Sequence, residues 1–469
     1  MNRGVRAAAV AAVLGMSATL GLGSPVAYAD RPAPVDPGQL PAGDPARPTQ
    51  ATERKANTAC NSTVSGGGGP TVPPAQAALD LTRAWQFSEG AGQVVAVIDT
   101  GVARHPRLPG LRAGGDFVAN SGDGTEDCDA HGTIVAGIIG ASRVPNEGFS
   151  GVAPAAAILT IRQTSDKYVK AGSNATKTPE DLSKEGYGNV ATMAQAVRRA
   201  ADMGATVINI SEVACSAGPI SDASLGAALD YAVHQKNVVV VASAGNTDND
   251  SCKGNTGIQD PLDPAADPWS NATVNVTPAR YDDLVLSVGS IDANGAPSEF
   301  TVPGPWLSVA APGENIVSLD VHSAGVINGT VDAQGGRQTI NGTSFAAPYV
   351  SGVVALVRSR FPELSAVEVM KRIQATAHAP AEGWNPYVGY GAIDPIAALT
   401  NEVPDELRPK QPNPAVSKQL AIPAPPPPPD HTARNVALIG SGIIGGGLVL
   451  GYLASFPARR RFGVGDDDA

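Results

Sequence analysis

Aromatic and charged residues are scarce in this chain, at 4% and 16% of its 469 residues. The formal net charge is -11, so the sequence lacks the surplus of basic residues that nucleic-acid binding requires, and we expect no nucleic-acid partner. Glycine and proline are plentiful instead, with 53 and 40 residues. This balance predicts a compact, turn-rich globular part flanked by looser segments, and the length allows one large domain with accessory parts.

The first residues have the features of an export signal. Arg3 and Arg6 precede an apolar stretch from Ala7 to Leu22, and Ala27-Tyr28-Ala29 is a cleavage pattern of small residues. A membrane span is the alternative, but the apolar run is short and rich in alanine. We therefore expect residues 1–29 to be a signal peptide that is cleaved after Ala29.

Cysteine is also scarce, with four residues. In an exported chain four cysteines predict two disulfides, for which three connectivities are possible. Residues 30–77 contain Cys60 but show no apolar period, so this N-terminal extension cannot form a core of its own. Our hypothesis pairs Cys60 with Cys128, which would pin the extension to the main domain, and leaves Cys215 to pair with Cys252.

The central part of the chain, residues 78–400, alternates short apolar runs with helical patterns. This alternation predicts an α/β fold with a doubly wound parallel sheet. Two polar stretches, 163–188 and 260–280, are long enough to be functional loops. Buried strands are expected at 94–98, 158–161, 207–211, 238–242, 284–288 and 307–310, and helices at 190–203, 224–235 and 366–375.

Two polar side chains follow predicted strands, at the edge where open α/β sheets place their chemistry. Asp99 ends the run Val94–Ile98, and Asn246 follows the run Val238–Ala242 by a few residues. Each has an ordinary alternative interpretation, because Asp-Thr-Gly and Gly-Asn also form turns. In the functional interpretation, Asp99 supplies a carboxylate and the Asn246 amide donates a hydrogen bond into the same cleft.

Two further residues stand directly before predicted helices. His131 opens a helix of small and branched residues, and Ser344 opens the apolar run 349–357, which predicts a helix buried on all sides. The unpaired N–H groups at such a helix start suit a developing oxyanion, although an ordinary capping serine is far more common. A serine hydroxyl becomes nucleophilic when a base takes its proton, and histidine suits that task near neutral pH.

The order Asp99, His131, Ser344, with Asn246 between base and nucleophile, resembles the subtilisin-like serine peptidases. The matching motifs are Asp99-Thr100-Gly101, His131-Gly132-Thr133, Ala244-Gly245-Asn246 and the run 342–348. The resemblance implies a seven-stranded parallel sheet with helices on both faces, a catalytic triad and an oxyanion donor at Asn246. Phe345 stands where the family usually has methionine, and Ser211-Glu212-Val213-Ala214 replaces a glycine-rich strand that lines the substrate cleft.

The C-terminal part predicts a membrane anchor. Residues 401–435 form a proline-rich linker, and 436–456 contain no charge over about 21 residues, enough to cross a hydrocarbon core of ~30 Å. Arg459-Arg460-Arg461 follow at once, which predicts a cytoplasmic tail over 457–469 and a large domain outside the cytoplasm.

This layout resembles the mycosins, the membrane-anchored subtilases of type VII secretion systems. The resemblance implies a single-pass protein of the inner membrane with its catalytic domain on the periplasmic side, and an extension that wraps the domain without inhibiting it. It implies exported proteins as substrates and the secretion complex as a partner. Two functions stay open, a processing endopeptidase and a structural stabiliser of the complex. No stretch has calcium-loop spacing, so we expect neither a required metal nor a cofactor.

Overall fold

The computed structural model describes most of the central part of the chain and the C-terminal helix. The predicted signal peptide, most of the proline-rich linker and the end of the tail lie outside the described residues. The described residues are 31–403, except 179–180, 183–184, 256–257, 259–266 and 333–334, together with 407, 410 and 430–462.

The fold is organised around a parallel sheet of seven strands in the spatial order β12-β11-β9-β7-β3-β5-β4. The strands of the described residues are β1 Thr52–Arg54, β2 Thr63–Ser65, β3 Val94–Asp99, β4 Arg112–Asp116, β5 Ala157–Arg162, β6 Tyr168–Lys170, β7 Val207–Ile210, β8 Ala214–Ser216, β9 Val239–Ser243, β10 Asn275–Thr277, β11 Leu286–Ile291, β12 Leu307–Pro312, β13 Ser318–Leu319, β14 Val326–Val331 and β15 Arg337–Gln338.

Helices cover both faces of this sheet. On one face α3 and α7 pack on each other, and on the other face α5 packs on α6. The helices of the described residues are α1 Pro74–Ala77, α2 Leu81–Ala84, α3 His131–Gly140, α4 Ser173–Thr176, α5 Val190–Asp202, α6 Ala223–Asp230, α7 Thr343–Arg360, α8 Ala366–Ala375, α9 Pro395–Thr400 and α10 Thr432–Phe462.

The core lies between the sheet and these helices, because the central strands are apolar on both faces. Every residue of β7 and β9 is buried, as expected for parallel strands covered on two sides. In α7 the residues Thr343 to Val357 are all buried. The sequence prediction of a helix buried on all sides is therefore confirmed, and so is the subtilisin-like α/β fold class.

The N-terminal extension adds strands to the main domain at its edges. β1 pairs antiparallel with β6, and β2 pairs antiparallel with β14. The structure also contains the disulfides Cys60–Cys128 and Cys215–Cys252, the pairing of our sequence hypothesis. The pattern of the extension did not predict β1 and β2, because short edge strands depend on hydrogen bonds to neighbours and bury little apolar surface.

Several element boundaries differ from the sequence predictions. The strand expected at 284–288 spans Leu286–Ile291, and the helix expected at 224–235 is α6 followed by a single π-helical turn, Tyr231–Gln235. The polar loop 163–188 contains β6 and α4, and the described part of the loop 260–280 contains a 3₁₀ turn and β10.

The C-terminal helix α10 belongs to a separate unit that begins near residue 416. Its stretch Thr432–Ala458 has 27 residues and includes an 18-residue window with a mean hydropathy of 1.9, so it is long and apolar enough to cross a membrane. Large apolar side chains such as Ile443 and Leu448 are exposed along it. Exposed apolar surface of this extent needs a lipid or protein environment.

Candidate active site

Asp99 ends the central strand β3, where its side chain is fully buried. One carboxylate oxygen, Oδ1, accepts a hydrogen bond from the backbone N–H of Thr100 at 2.7 Å and lies 2.7 Å from Nδ1 of His131. The other oxygen, Oδ2, has no hydrogen-bond partner in the described part of the chain. The carboxylate is therefore fixed at the carboxyl edge of the sheet with one oxygen directed at the imidazole.

His131 is the first residue of α3, and its side chain is 24% exposed. Its Nδ1 lies against the buried Asp99, which leaves Nε2 as the ring nitrogen for an external proton. A carboxylate at Nδ1 selects the tautomer with Nδ1 protonated and stabilises the imidazolium when it forms. This ring is arranged as a general base oriented by an acid.

Asp127 holds the start of α3 in place, although it was not among the predicted site residues. The capping residue Ala130 has a positive φ of 66° and makes no side-chain cap. Asp127 takes over this role, because its Oδ2 accepts from the backbone N–H and the hydroxyl of Thr133 at 2.8 and 2.6 Å. Its Oδ1 accepts from the hydroxyl of Thr100 at 2.9 Å. An acid shortly before a helix start was the signal that would have found it.

Ser344 is the second residue of α7 and is 8% exposed. Its carbonyl has no helical partner, because Pro348 stands four residues later and has no N–H. The hydroxyl of Ser211 donates to that carbonyl instead, at 2.8 Å. Ser211 in turn accepts from the Asn209 amide, whose oxygen accepts from the Ser351 hydroxyl, so the first turn of α7 is tied to β7.

Asn246 lies just beyond β9 and reaches the same helix start. Its Oδ1 accepts hydrogen bonds from the backbone N–H and the hydroxyl of Thr343, at 3.0 and 2.9 Å. These two donors fix the orientation of the amide and leave Nδ2 as the group that can donate into the cleft.

Gly342 lies where the Ser344 hydroxyl and the Asn246 amide come together. Its φ is +154°, and a Cβ there would lie 3.1 Å from the Ser344 hydroxyl and 3.3 Å from the Asn246 Nδ2. Both atoms therefore border the same small space above Gly342. A side chain at this position would fill the place where a reacting carbonyl oxygen has to sit between hydroxyl and amide.

Phe345 connects the serine side of the site with the histidine side. Its ring packs on the ring of His131 at a centroid distance of 5.0 Å. The residue that departs from the usual family pattern thus forms the contact between α7 and the imidazole. The structure brings Asp99 and His131 into direct contact, and it brings Ser344 and Asn246 to one helix start beside them.

Glu212 is a second carboxylate near the imidazole. It follows Ser211 beyond β7, and its Oε1 lies 3.8 Å from Nδ1 of His131 with a side chain that is 31% exposed. The sequence analysis noticed this residue only as a departure from a glycine-rich pattern. A charged side chain where small residues are usual was the signal of its role.

The electrostatic environment strongly favours the charged form of His131. Burial of the ring acts to lower its pKa, but the charge of Asp99 and the hydrogen bond to it outweigh burial, and Glu212 and Asp127 add to them. Together they raise the pKa of His131 to about 10. Burial in turn raises the pKa of Asp127 to about 6, although its bonds to Thr133 oppose this.

The side chains of Asp99, His131 and Glu212 carry oxygen and nitrogen atoms of the types that bind metal ions. Ligand atoms of Asp99, His131 and Glu212 all lie within 4.8 Å of one another. Between Asp99 and His131, however, the distance of 2.7 Å is that of a direct hydrogen bond, which leaves no room for an ion between the two atoms. The geometry fits an acid and base pair better than a metal centre.

A model of the subtilase family, Peptidase S8, matches residues 90–391, which include all four predicted site residues. Thermitase of Thermoactinomyces vulgaris is 33% identical over 324 residues, which cover 68% of this chain and 93% of that protein. The chain is a subtilisin-like serine endopeptidase.

Similarity to one group of subtilases extends over nearly the whole chain. Mycosin-4 of Mycobacterium tuberculosis is 46% identical over 450 residues and covers 94% of each chain, and Mycosin-3 of the same organism is 44% identical over 469 residues. The chain belongs to the mycosins. The crystal structure of MycP1 from the ESX-1 type VII secretion system has a TM-score of 0.73 at 43% identity and covers 82% of this chain and 98% of that chain. A chain in an intact ESX-5 inner membrane complex has a TM-score of 0.73 at 42% identity and covers 90% and 99%.

Proposed function

We propose that this mycosin is a membrane-anchored endopeptidase that processes proteins exported by a type VII secretion system, with Ser344 as nucleophile, His131 as general base and Asp99 as its orienting acid. The observation that carries the proposal is the 2.7 Å contact between His131 and the buried Asp99, next to the start of α7. Ser344 lies in the first turn of this helix, and the side chain of Asn246 is hydrogen-bonded to it. Exported proteins are the substrates that match a relative found in a secretion complex.

The proposed reaction follows from this arrangement. The Ser344 hydroxyl attacks the scissile carbonyl while Nε2 of His131 accepts its proton. The carbonyl oxygen becomes negative and receives a hydrogen bond from Nδ2 of Asn246 and from the backbone N–H groups at the start of α7. The imidazolium then gives its proton to the leaving amine, and a water molecule activated by His131 hydrolyses the acyl-enzyme.

The membrane anchor is a further part of the proposal. The apolar helix α10 would hold the protein in the inner membrane, and the arginines that follow the predicted span place the tail in the cytoplasm by the charge bias of membrane proteins. The catalytic domain then faces the periplasm, which agrees with a cleaved signal peptide and with two disulfides.

The catalytic assignment is tested with an active-site probe. A fluorophosphonate should label the full-length protein in detergent at Ser344, as read by peptide mapping. Ser344→Ala and His131→Ala should each abolish the label, while Ser359→Ala, a serine near the end of α7, should keep it. Labelling that persists in Ser344→Ala would overturn the assignment.

A second function is a structural role in the secretion complex, with proteolysis secondary. It is favoured by the similarity to a chain of the ESX-5 inner membrane complex and by the polar loop 163–188, which contains its own strand and helix. We expect deletion of the whole protein to abolish secretion, whereas Ser344→Ala leaves secretion largely intact and the substrate uncut. If Ser344→Ala at normal protein level blocked secretion as completely as deletion, the structural role would be refuted.

A further inference from the structure

Glu212 lies beside His131, and few positively charged groups surround its carboxylate. Its side chain is 31% exposed, and its ion-pair partner among the described residues is His131, at 3.8 Å. Three other carboxylates act on it, those of Asp99, Asp166 and Asp129. Burial raises the pKa of Glu212, the charge of His131 opposes this, and the three carboxylates raise it further.

Asp129, one of these three carboxylates, has partners within the protein. Asp129 accepts from the Ser165 hydroxyl at 2.6 Å and from the backbone N–H of Asp166 at 3.1 Å. The positive charges of Lys167 and Arg162 also act on Asp129. Within the described part of the chain Glu212 has no such cation, so its negative charge depends on a histidine that must be neutral to act as a base.

The position of Glu212 places it beside a bound peptide. Its neighbour Ser211 donates to the carbonyl of Ser344, and a Cβ on Gly245 would lie 3.3 Å from Cγ2 of Val213. The segment 211–213 therefore runs from the imidazole to the residue before Asn246. A peptide whose carbonyl sits between Ser344 and Asn246 has to pass over this segment, with its neighbouring side chains close to Glu212.

We propose that Glu212 selects substrates that carry a lysine or arginine next to the scissile bond or one residue further. A basic side chain supplies the missing positive charge to the partly buried carboxylate, whereas an acidic one is repelled by it. This inference rests on the proposed roles of Ser344 and Asn246, which define where the peptide lies.

The test begins with a proteome-derived peptide library digested by the full-length protein in detergent, with cleavage sites read by mass spectrometry. Lysine and arginine should be enriched at one position adjacent to the cleaved bond or one residue away. The enrichment should disappear in Glu212→Gln, and Glu212→Lys should favour acidic residues there. No enrichment in the wild-type protein, or enrichment that survives in Glu212→Gln, overturns the proposal.

The magnitude is measured with one well-cut peptide and its analogue in which that lysine is acetylated, which removes the charge and keeps the aliphatic stem. The ratio of kcat/KM between the two peptides should be about tenfold in the wild-type protein, as for a partly buried ion pair, and should approach one in Glu212→Gln. This ratio does not depend on the fraction of folded enzyme. Glu89→Gln is the matched control. Glu89 has a similar exposure of 36% and pairs with Arg143, but it precedes β3 and so lies at the opposite edge of the sheet from the site. The ratio should therefore stay at its wild-type value in this variant.

A binding measurement separates this inference from the catalytic assignment. Ser344→Ala should bind the lysine peptide more tightly than the acetyl-lysine peptide in fluorescence anisotropy, and Ser344→Ala combined with Glu212→Gln should bind both equally. Equal binding by Ser344→Ala itself refutes the role of Glu212. Cleavage by Ser344→Ala at the wild-type rate refutes the proposed role of Ser344 as nucleophile. The charge preference of Glu212 is then decided by the binding measurement alone.

Discussion

The two helix starts that form the site are built with opposite electrostatics. At the start of α3 the imidazole of His131 lies against Asp99 and 3.8 Å from Glu212, and the charge of Asp127 also acts on it. At the start of α7 the groups that contact the first turn are neutral, the amide of Asn246 and the hydroxyl of Ser211. Negative charge is thus concentrated where a cation forms during the reaction, and neutral donors stand where an anion forms.

The difference shows how one site can stabilise both the positive imidazolium and the negative oxyanion of the proposed reaction. A carboxylate near Asn246 would repel the oxyanion, and an amide in place of Asp99 would fail to stabilise the imidazolium. Each helix start also has a backbone group without a partner inside the helix, and a side chain supplies the missing hydrogen bond. In α3 the Asp127 carboxylate accepts from the backbone N–H of Thr133, and in α7 the Ser211 hydroxyl donates to the carbonyl of Ser344.

The largest effect should follow from removing the nucleophile on the neutral side. Ser344→Ala should lower kcat by roughly 10⁶-fold, the scale seen when a subtilisin triad is broken. The measurement is peptide hydrolysis by the full-length protein, with thermal unfolding as the control for folding. Activity within tenfold of the wild-type protein would remove Ser344 from the mechanism.

The second effect tests the oxyanion donor. Asn246→Ala should lower kcat by ~10²–10³ with a small change in KM, because its hydrogen bond forms fully only in the transition state. Thr343→Val is the informative companion, since it removes one of the two donors that orient the amide and should cost less. Unchanged kcat in Asn246→Ala would show that the amide does not contact the oxyanion.

On the acidic side, Asp127→Ala should have a smaller effect on kcat, about tenfold, and should destabilise the protein by ~1–3 kcal/mol. It leaves the backbone N–H and the hydroxyl of Thr133 without their acceptor and loosens the start of α3. Chemical denaturation and kcat measure the two parts, and Asp123→Ala, at an exposed position before the same segment, is the control. A full loss of activity in a stable Asp127→Ala would mean that this acid takes part in the chemistry.

The dependence on pH should give the smallest change and the sharpest test of the acidic side. Protonated His131 cannot accept the serine proton, so activity is low below its pKa and rises as the pH increases through it. Because the pKa of His131 is raised to about 10, the rise should extend into the alkaline range. Glu212→Gln removes one of the charges that raise this pKa, so the rise should move to lower pH. The pKa of Glu212 is itself raised to about 8, so the effect requires a pH at which Glu212 is ionised, and the activity on an uncharged peptide at pH 9 should increase roughly twofold to tenfold. A profile that moves to higher pH would contradict this account.

Local patterns were sufficient to predict six of the seven strands of the main sheet and the buried helix, and they singled out the four proposed site residues, whereas β4 was not expected. β-branched runs indicate buried strands, and the polar residues that follow them lie at one edge because parallel strands end at the same edge of a sheet. The edge strands β1 and β2 were not predictable, since their pairing depends on partners more than 100 residues away, at β6 and β14.

The sequence by itself determined the class of fold, the motifs around Asp99, His131 and Ser344 on which the proposed triad rests, and the presence of an apolar C-terminal helix, because each depends on residues close together in the chain. The tertiary structure alone decided the electrostatics of the site. Asp127 acts on Thr100 across 27 residues, and Glu212 acts on His131 across two different elements. Whether a carboxylate caps a helix, tunes a base or selects a substrate depends on burial and on distances of a few ångströms, and only packing fixes both.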